Sequence, residues 1–577
     1  MTPSVRQVET DVLILGSGGA GLFAALHAKK TAPDLDVTVA VKGLLGKCGC
    51  TRMVQGGYNV ALAPGDSVER HFMDTIEGGK WLNDQDLAWT LVTEAQVRIR
   101  ELESELGCFF DRNPDGTVHQ KAFAGQTFDR TVHKGDLTGI EIINRLMEQV
   151  WRRDVRRMED HRALELIPAA DGSGLAGVLM LDMRSGEPVF VQAKATLLAT
   201  GGGPTMYKFH TPSGDKSCDG LAMALRAGLP LRDMEMVQFH PTGLLAGPDT
   251  RMTGTVLEEG LRGAGGYLLD RDGERFMHLY DPRNERATRD IVSRSIIRRI
   301  RDGYGTANGG VYISMSHLGP DKVRKSFKGM VERCADCGFD LAAGRVEVIP
   351  TAHYMMGGVA FNGDCSTELP RLYAAGEDTG GVHGANRLGG NGVANSTVFG
   401  GVAGRAMATM AAREGAHADP DRAALERGLA RAFGPLGRPH RDLPAIREAL
   451  YETMWSDVGV LRDKTGLDRA QERLAELAEA VERSGAPDGD RRYDLTWTDR
   501  LNLESLVSVS RAICAAAIAR TDSRGAHFRE DFPETSDLVT SRYTVVRGRE
   551  DGVVEVMTDP VSFTRVAPGS SLVDRAA

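Results

Sequence analysis

At 577 residues the chain is too long for one ordinary hydrophobic core, so two to four domains are expected. It is globular in composition, 41% hydrophobic and 26% charged, and its 68 glycines follow no Gly-X-Y period, which excludes a collagen-like rod and points to tight turns and close approaches to a ligand. A formal net charge of −9 argues against nucleic-acid binding, and eight scattered cysteines do not resemble a secreted disulfide framework. Cys334 and Cys337 lack a second pair at metal-site spacing and are read as ordinary thiols. No basic-then-apolar leader and no uninterrupted apolar run of membrane length is present. The expectation is a soluble cytoplasmic protein with no direct membrane insertion, reaching the inner face of a membrane only through partner subunits.

In chain order, Asp11–Leu15 reads as a buried parallel strand, short and apolar after its first residue. It runs into Gly16-Ser17-Gly18-Gly19-Ala20-Gly21 and a helical stretch over 22–30 rich in Ala and Leu. Strand, glycine turn and helix in that order suit a dinucleotide, whose pyrophosphate meets free N–H groups at the helix start. A β-rich run, Asp36–Val41, follows, with Lys42 where an acidic residue for a ribose hydroxyl often stands. Two later segments repeat the strand-and-turn character: Ala195–Gly203, with Thr200 and Gly201, and Leu372–Glu377. Their wide spread predicts one nucleotide domain interrupted by a large insertion.

Long motifs then appear in order: Gln55-Gly56-Gly57, Gln238-Phe239-His240-Pro241-Thr242-Gly243, Glu259-Gly260-Leu261-Arg262-Gly263, Pro350-Thr351-Ala352-His353-Tyr354, and His383-Gly384-Ala385-Asn386-Arg387-Leu388-Gly389. On these, from Asp11 to about Glu534, the chain resembles the flavoprotein subunits of succinate dehydrogenase and fumarate reductase, a group that includes the L-aspartate oxidases. The resemblance implies an α/β fold in which a Rossmann-like FAD-binding domain (1–238 and 352–415) is interrupted by an α+β capping domain (239–351). A helical domain (420–539) and a C-terminal tail segment (540–577) of short strands and turns follow, with the last ten or so residues frayed. Within 420–539, Leu467, Ala470, Leu474, Leu477 and Val481 form an amphipathic stripe typical of helix packing.

The same resemblance assigns residues. FAD would be held by Gly16, Ser17, Gly18, Gly19, Ala20, Gly21, Lys42, Cys50, Thr51, Gln55, Gly56, Gly57, Thr200, Gly201, Asp219, Glu377 and Asn391. His240, His353 and Arg387 would replace the water shell of a small dicarboxylate, with Phe123 and Glu258 beside it. Arg289 would exchange a proton with the substrate, fed by Glu259 and Arg262, while hydride moves to or from flavin N5. Taken singly, His240 can cap the turn before Pro241, Arg387 can join a structural salt bridge, and Arg289 can be one arginine on an exposed helix face.

Three departures from the family pattern bear on function. Where many members attach FAD through a histidine, this chain has Cys50 and no histidine in 48–57, so noncovalent FAD is expected, and with it a lower potential and the reducing direction. Glu258 replaces the usual Thr, whose hydroxyl donates to a substrate carboxylate; an ionised Glu cannot donate, so Glu258 points away, is protonated, or meets a different substrate. Phe123 stands where aspartate oxidases carry Glu, and an apolar ring does little for a substrate ammonium. Fumarate–succinate interconversion is thus expected, with an aspartate or other acid oxidase as the rival and a non-enzymatic dicarboxylate sensor as a third reading. No ferredoxin-type Cys cluster is encoded, so electrons would pass to a separate partner, to oxygen or to a small carrier, an iron–sulfur subunit being favoured.

Overall fold

The computed structural model describes residues 4–573, apart from 248–249, 251, 440, 488 and 550–551. Its largest sheet is seven-stranded and grows from the first strand, Arg6–Leu15, whose apolar second half is buried. Val37–Val41 and Glu187–Leu198 flank it, both parallel, and Arg156–Glu159 extends the sheet beyond Val37–Val41. Glu187–Leu198 is long enough for two neighbours on its other side. Its first half pairs antiparallel with Leu175–Asp182, which pairs in turn with His161–Pro168; its end pairs parallel with Leu372–Ala374. That last pairing returns the chain to the sheet after a long excursion.

Helix Gly19–Thr31 packs against Asn391–Ala411, backbone on backbone. A Cβ at Gly400 would fall 2.5 Å from the Ala20 carbonyl oxygen, and one at Gly404 2.3 Å from that of Ala24. Only glycine permits this approach, which locks two distant segments of the chain into one unit.

Within the excursion, Val237–Leu244, Arg345–Met355, Val311–Ser314 and Tyr267–Leu269 form an antiparallel sheet in that order. It has its own core, which runs from Leu244 to Val348 and includes Leu261, Phe276, Ile296 and Ile313. The boundaries expected at 238/239 and 351/352 fall inside its two long strands, which pass from one unit into the other. Their pairing sets Gln238 opposite Tyr354, Phe239 opposite Ala352 and His240 opposite Thr351. His353 is the extra residue of the register shift between the first two pairs. Such a bulge re-aims a side chain, here beside His240.

The helices Arg422–Phe433, Leu443–Asp457, Lys464–Arg483 and Leu495–Ala519 follow. Lys464–Arg483 buries the expected stripe of Leu467, Ala470, Leu474, Leu477 and Val481. Leu495–Ala519 is long and apolar enough to cross a membrane, with mean hydropathy 1.4, yet 67% of that apolar window is buried against the protein, as in a core helix. The stretch from 540 holds the expected short strands. Arg542–Gly548 and Val554–Pro560 form a hairpin whose first strand pairs with Leu231–Arg232, itself paired with Gly358–Val359. Residues 574–577, the end of the expected frayed tail, lie outside the described residues.

Candidate active site

The first strand ends on Gly16, with φ +111° and a position where a Cβ would lie 2.1 Å from the Ala199 oxygen. Both the backbone angle and the contact demand glycine. Beyond the turn, Gly18 caps helix Gly19–Thr31 with no side-chain acceptor, so the helix-start N–H groups face outward except that of Gly19, which donates to Thr51 Oγ1 at 3.0 Å. Ser17 Oγ accepts from Gly46 N–H at 3.1 Å and ties down the loop after Val37–Val41.

Two voids open from this turn. One of about 70 Å³ reaches Lys42 and Asp219; the other, about 610 Å³, runs to Arg289. They share Gly18, Gly49, Ala199, Gly201 and Lys216, so together they form one long cleft. At the narrow end Lys42 Nζ donates to Ser217 Oγ at 2.8 Å and pairs with Asp219 at 3.0 Å, and Arg162 pairs with Asp219 at 2.7 Å. Burial opposes the charge of Asp219, but Arg162 and Lys42 outweigh it and hold the carboxyl well below its usual range. The narrow end thus holds the Asp219 carboxylate between two cations.

In the middle, Asp378 binds the Thr200–Gly201 turn, accepting from Thr200 N–H at 2.5 Å and from Gly201 N–H at 3.1 Å. Glu377 accepts from Gly203 N–H at 3.2 Å and Met355 N–H at 3.0 Å, and burial pushes its carboxyl up. Cys50, Thr51, Gln55, Gly56 and Gly57 line the larger void. Burial pushes the Cys50 thiol up to about 12, so it stays protonated at neutral pH. Gln55 donates to Val256 O at 3.3 Å, and its buried Oε1 has no partner. Glycine walls, free helix-start N–H groups and this unpaired amide oxygen fit a flavin dinucleotide laid along the cleft.

Two assigned residues do not line it. Gly21 packs beneath the turn, where a Cβ would sit 2.0 Å from the Gly16 oxygen. The expectation for Asn391 is corrected: its Oδ1 accepts from Asn59 at 2.8 Å and bonds His71 at 3.1 Å, while its Nδ2 donates to Thr75 at 3.1 Å. With its amide spent on both sides, Asn391 anchors the start of helix Asn391–Ala411.

At the wide end, Arg289 opens helix Arg289–Arg299 and is buried, not on an exposed face. Its Nε and Nη2 both donate to Glu259 Oε2, at 3.0 and 2.6 Å, and its Nη1 donates to Gln238 Oε1 at 3.0 Å. Arg262 Nη2 pairs with Glu259 Oε1 at 3.3 Å from behind, outside the cavity wall, and its Nη1 donates to Glu285 O at 2.7 Å. Burial opposes the charge on Glu259, but Arg289 and Arg262 more than compensate and its pKa is lowered.

The rings of His240 and His353 lie 5.3 Å apart in the same wall. Burial, then the charge of Arg289, holds both imidazoles well below their ordinary pKa, hence neutral. His240 Nδ1 lies 3.3 Å from both the backbone N–H and the hydroxyl of Thr242. His353 Nδ1 is bonded to Thr211 Oγ1 at 2.8 Å. Arg387 stacks 4.4 Å from the centre of Tyr354, its buried Nε has no partner, and burial lowers its pKa to about 10. Phe123 and Glu258 complete the wall. Glu258 forms an ion pair with Lys121, and burial raises its pKa despite that partner.

Reading the sequence missed several of these residues. Gln238 and Tyr354 sit inside the quoted motifs, and Asp378 adjoins Glu377, so adjacency could have found them. Lys216, whose Nζ donates to Thr200 O at 2.5 Å, and Thr211 carry no such signal.

Fold and cleft together define an FAD-dependent oxidoreductase. Residues 11–393 match the family model for an FAD binding domain and 447–572 that for the fumarate reductase flavoprotein C-term. The chain is 42% identical over 531 residues to one subunit of the fumarate reductase (CoM/CoB) of Methanothermobacter marburgensis, covering 91% of this chain and 95% of that one. It is 35% identical over 595 residues to the fumarate reductase flavoprotein subunit of Mycobacterium tuberculosis, covering 98% and 99%. Among solved structures, a variant of FrdA from Escherichia coli quinol fumarate reductase matches with TM-score 0.92 at 31% identity, over 98% of this chain and 99% of that one. The chain belongs to the fumarate reductase and succinate dehydrogenase flavoprotein family.

Proposed function

We propose that this chain interconverts fumarate and succinate, or a close dicarboxylate, as the flavoprotein subunit of a complex, and works mainly as a reductase. The observation that carries this reading is the convergence in one cavity of the Arg289–Glu259 pair with His240, His353 and Arg387. Bound FAD supplies hydride transfer at its N5. The residues bind, orient and move the proton.

Arg387 and the two neutral imidazoles replace the hydration of the substrate carboxylates, and Arg387 offers its unpaired Nε–H. The same donors stabilise charge that builds on a carboxylate in the transition state. A guanidinium is a poor acid alone. Here Arg289 gives a proton to the alkene carbon not taking hydride and recovers it from Glu259, which Arg262 recharges from behind. Succinate oxidation is the reverse, and hydride plus proton balance the two-electron change. Phe123 offers nothing to a substrate ammonium, which disfavours aspartate oxidation.

A protonated Cys50 and the lack of histidine in 48–57 support noncovalent FAD, and so the reducing direction. A separate iron–sulfur subunit is the proposed electron partner, since the sequence has no ferredoxin-type Cys cluster. The purified protein is tested with a reduced viologen dye plus fumarate, and with aspartate plus oxygen. Fumarate-dependent dye oxidation without peroxide is expected, and acid precipitation should leave the yellow colour in the supernatant. Peroxide formed from aspartate would overturn the reading.

A further inference from the structure

On the far side of the nucleotide end lies a second cavity, of about 450 Å³, with no wall residue in common with the flavin cleft. Its size is that of a small-molecule site. Six arginines line it (Arg226, Arg431, Arg438, Arg500, Arg511 and Arg549) against two glutamates, Glu482 and Glu504. The chain as a whole carries −9, so this concentration of positive charge runs against its surroundings.

Leaving Arg549 aside, the ion pairs of the other five arginines do not balance their charge. In the inner tier, Arg226 and Arg431 share Glu165 at 3.0 and 2.9 Å, and Arg431 and Arg500 share Glu504 at 2.9 and 3.3 Å. Three guanidinium groups are thus served by two carboxylates. At the rim, Arg438 and Arg511 make no ion pair or side-chain hydrogen bond with any described residue. Burial and then the neighbouring Arg431 lower the pKa of Arg226, the mark of a cation short of counter-charge. Leu225, Val481, Val507 and Val554 add apolar wall between the charges.

We propose that this cavity binds a free organic phosphate of nucleotide size, with the phosphates among the arginines and the organic body on the apolar wall. Guanidinium forks suit phosphate oxygens, and the apolar residues would be wasted on an inorganic ion. Helix Leu495–Ala519 links the two sites. It lends Arg500, Glu504, Ser508 and Arg511 to the new cavity from one face. From another it sends Asn502 to Arg162 at 2.8 Å and Ser505 to Asp219 at 3.2 Å, at the nucleotide end of the flavin cleft.

The test is isothermal titration of the FAD-loaded protein with ATP, ADP and pyrophosphate, beside vesicles of anionic phospholipid and a poly-glutamate peptide. The double variant R438A/R511A removes rim charge without breaking a described contact. ATP or ADP should bind the parent protein and lose at least tenfold in affinity in the variant, with FAD content and fumarate turnover unchanged. No nucleotide binding, or equal binding by the variant, overturns the proposal. Retention on vesicles alone or binding of the peptide alone also overturns it, making the cavity a lipid or protein contact instead.

Discussion

The two ends of the flavin cleft are built by opposite means. The nucleotide end is mostly backbone: a strand, a glycine turn and a helix start, adjacent in sequence and held by one parallel sheet. The substrate end is mostly side-chain charge, gathered from the separate segments that carry Gln238, Glu259, Arg289, His353 and Arg387. Backbone recognition depends on where side chains are absent. Charge recognition depends on which groups are present and what neutralises them. The two ends should therefore fail differently when mutated.

The sharpest separation comes from R289Q. The amide keeps much of the bulk but cannot hold the Glu259 fork or deliver a proton, so kcat should fall by about 10²–10⁴-fold, the usual worth of a positioned acid. FAD should stay bound, because Arg289 lies at the far end of the cleft from the glycine turn. Steady-state assay with fumarate beside the visible flavin spectrum checks both halves. Substantial residual turnover would remove Arg289 from the proton path.

G16A should do the reverse. Its Cβ would be 2.1 Å from a backbone oxygen at φ +111°, so the clash cannot be relieved by a side-chain rotation. Overpacking and backbone strain together cost about 2–5 kcal/mol. The expected result is protein that purifies with little FAD and melts earlier, while whatever fraction retains FAD turns over at the parent rate. Full flavin occupancy would contradict the close approach of the first strand to Ala199.

This contrast also explains how far the sequence could be read. The nucleotide end was legible because a local pattern favours a local geometry: Asp11 to Gly21 reads as strand, turn and helix start from adjacent residues alone. The core stripe of Lys464–Arg483 was legible for the same reason, since spacing alone sets a helix face. The substrate end was reached only through family resemblance, because nothing in the spacing of Glu259 and Arg289 says that their side chains meet at 2.6 Å. Asn391 shows the cost of that route. It lines neither void, and the amide's partners, Asn59, His71 and Thr75, arrive from another helix and strand. The short strands expected after residue 540 are present, but their pairing was not legible, because the partner Leu231–Arg232 lies hundreds of residues away.

The finest test of the charged end is Glu258, whose sign opposes a dicarboxylate and which, unlike Glu259, has no arginine paired with it. Lys121 offsets its charge without abolishing it, and burial raises its pKa above the ordinary carboxylate value. The sign follows from that direction. Below the raised pKa the carboxyl is neutral and can donate; as pH climbs through it, the group ionises and repels an incoming carboxylate. The KM for fumarate should therefore rise with pH in the parent protein and stay flatter in E258T, whose hydroxyl donates at every pH. At neutral pH the substitution should lower KM by about tenfold, equivalent to about 1.4 kcal/mol, with kcat nearly unchanged because the proton path through Arg289 is untouched. Lys121 is left without its partner in this variant, but it is partly exposed, so water can solvate it. An unchanged KM and pH profile would mean that Glu258, though in the wall, stays clear of the substrate's charge.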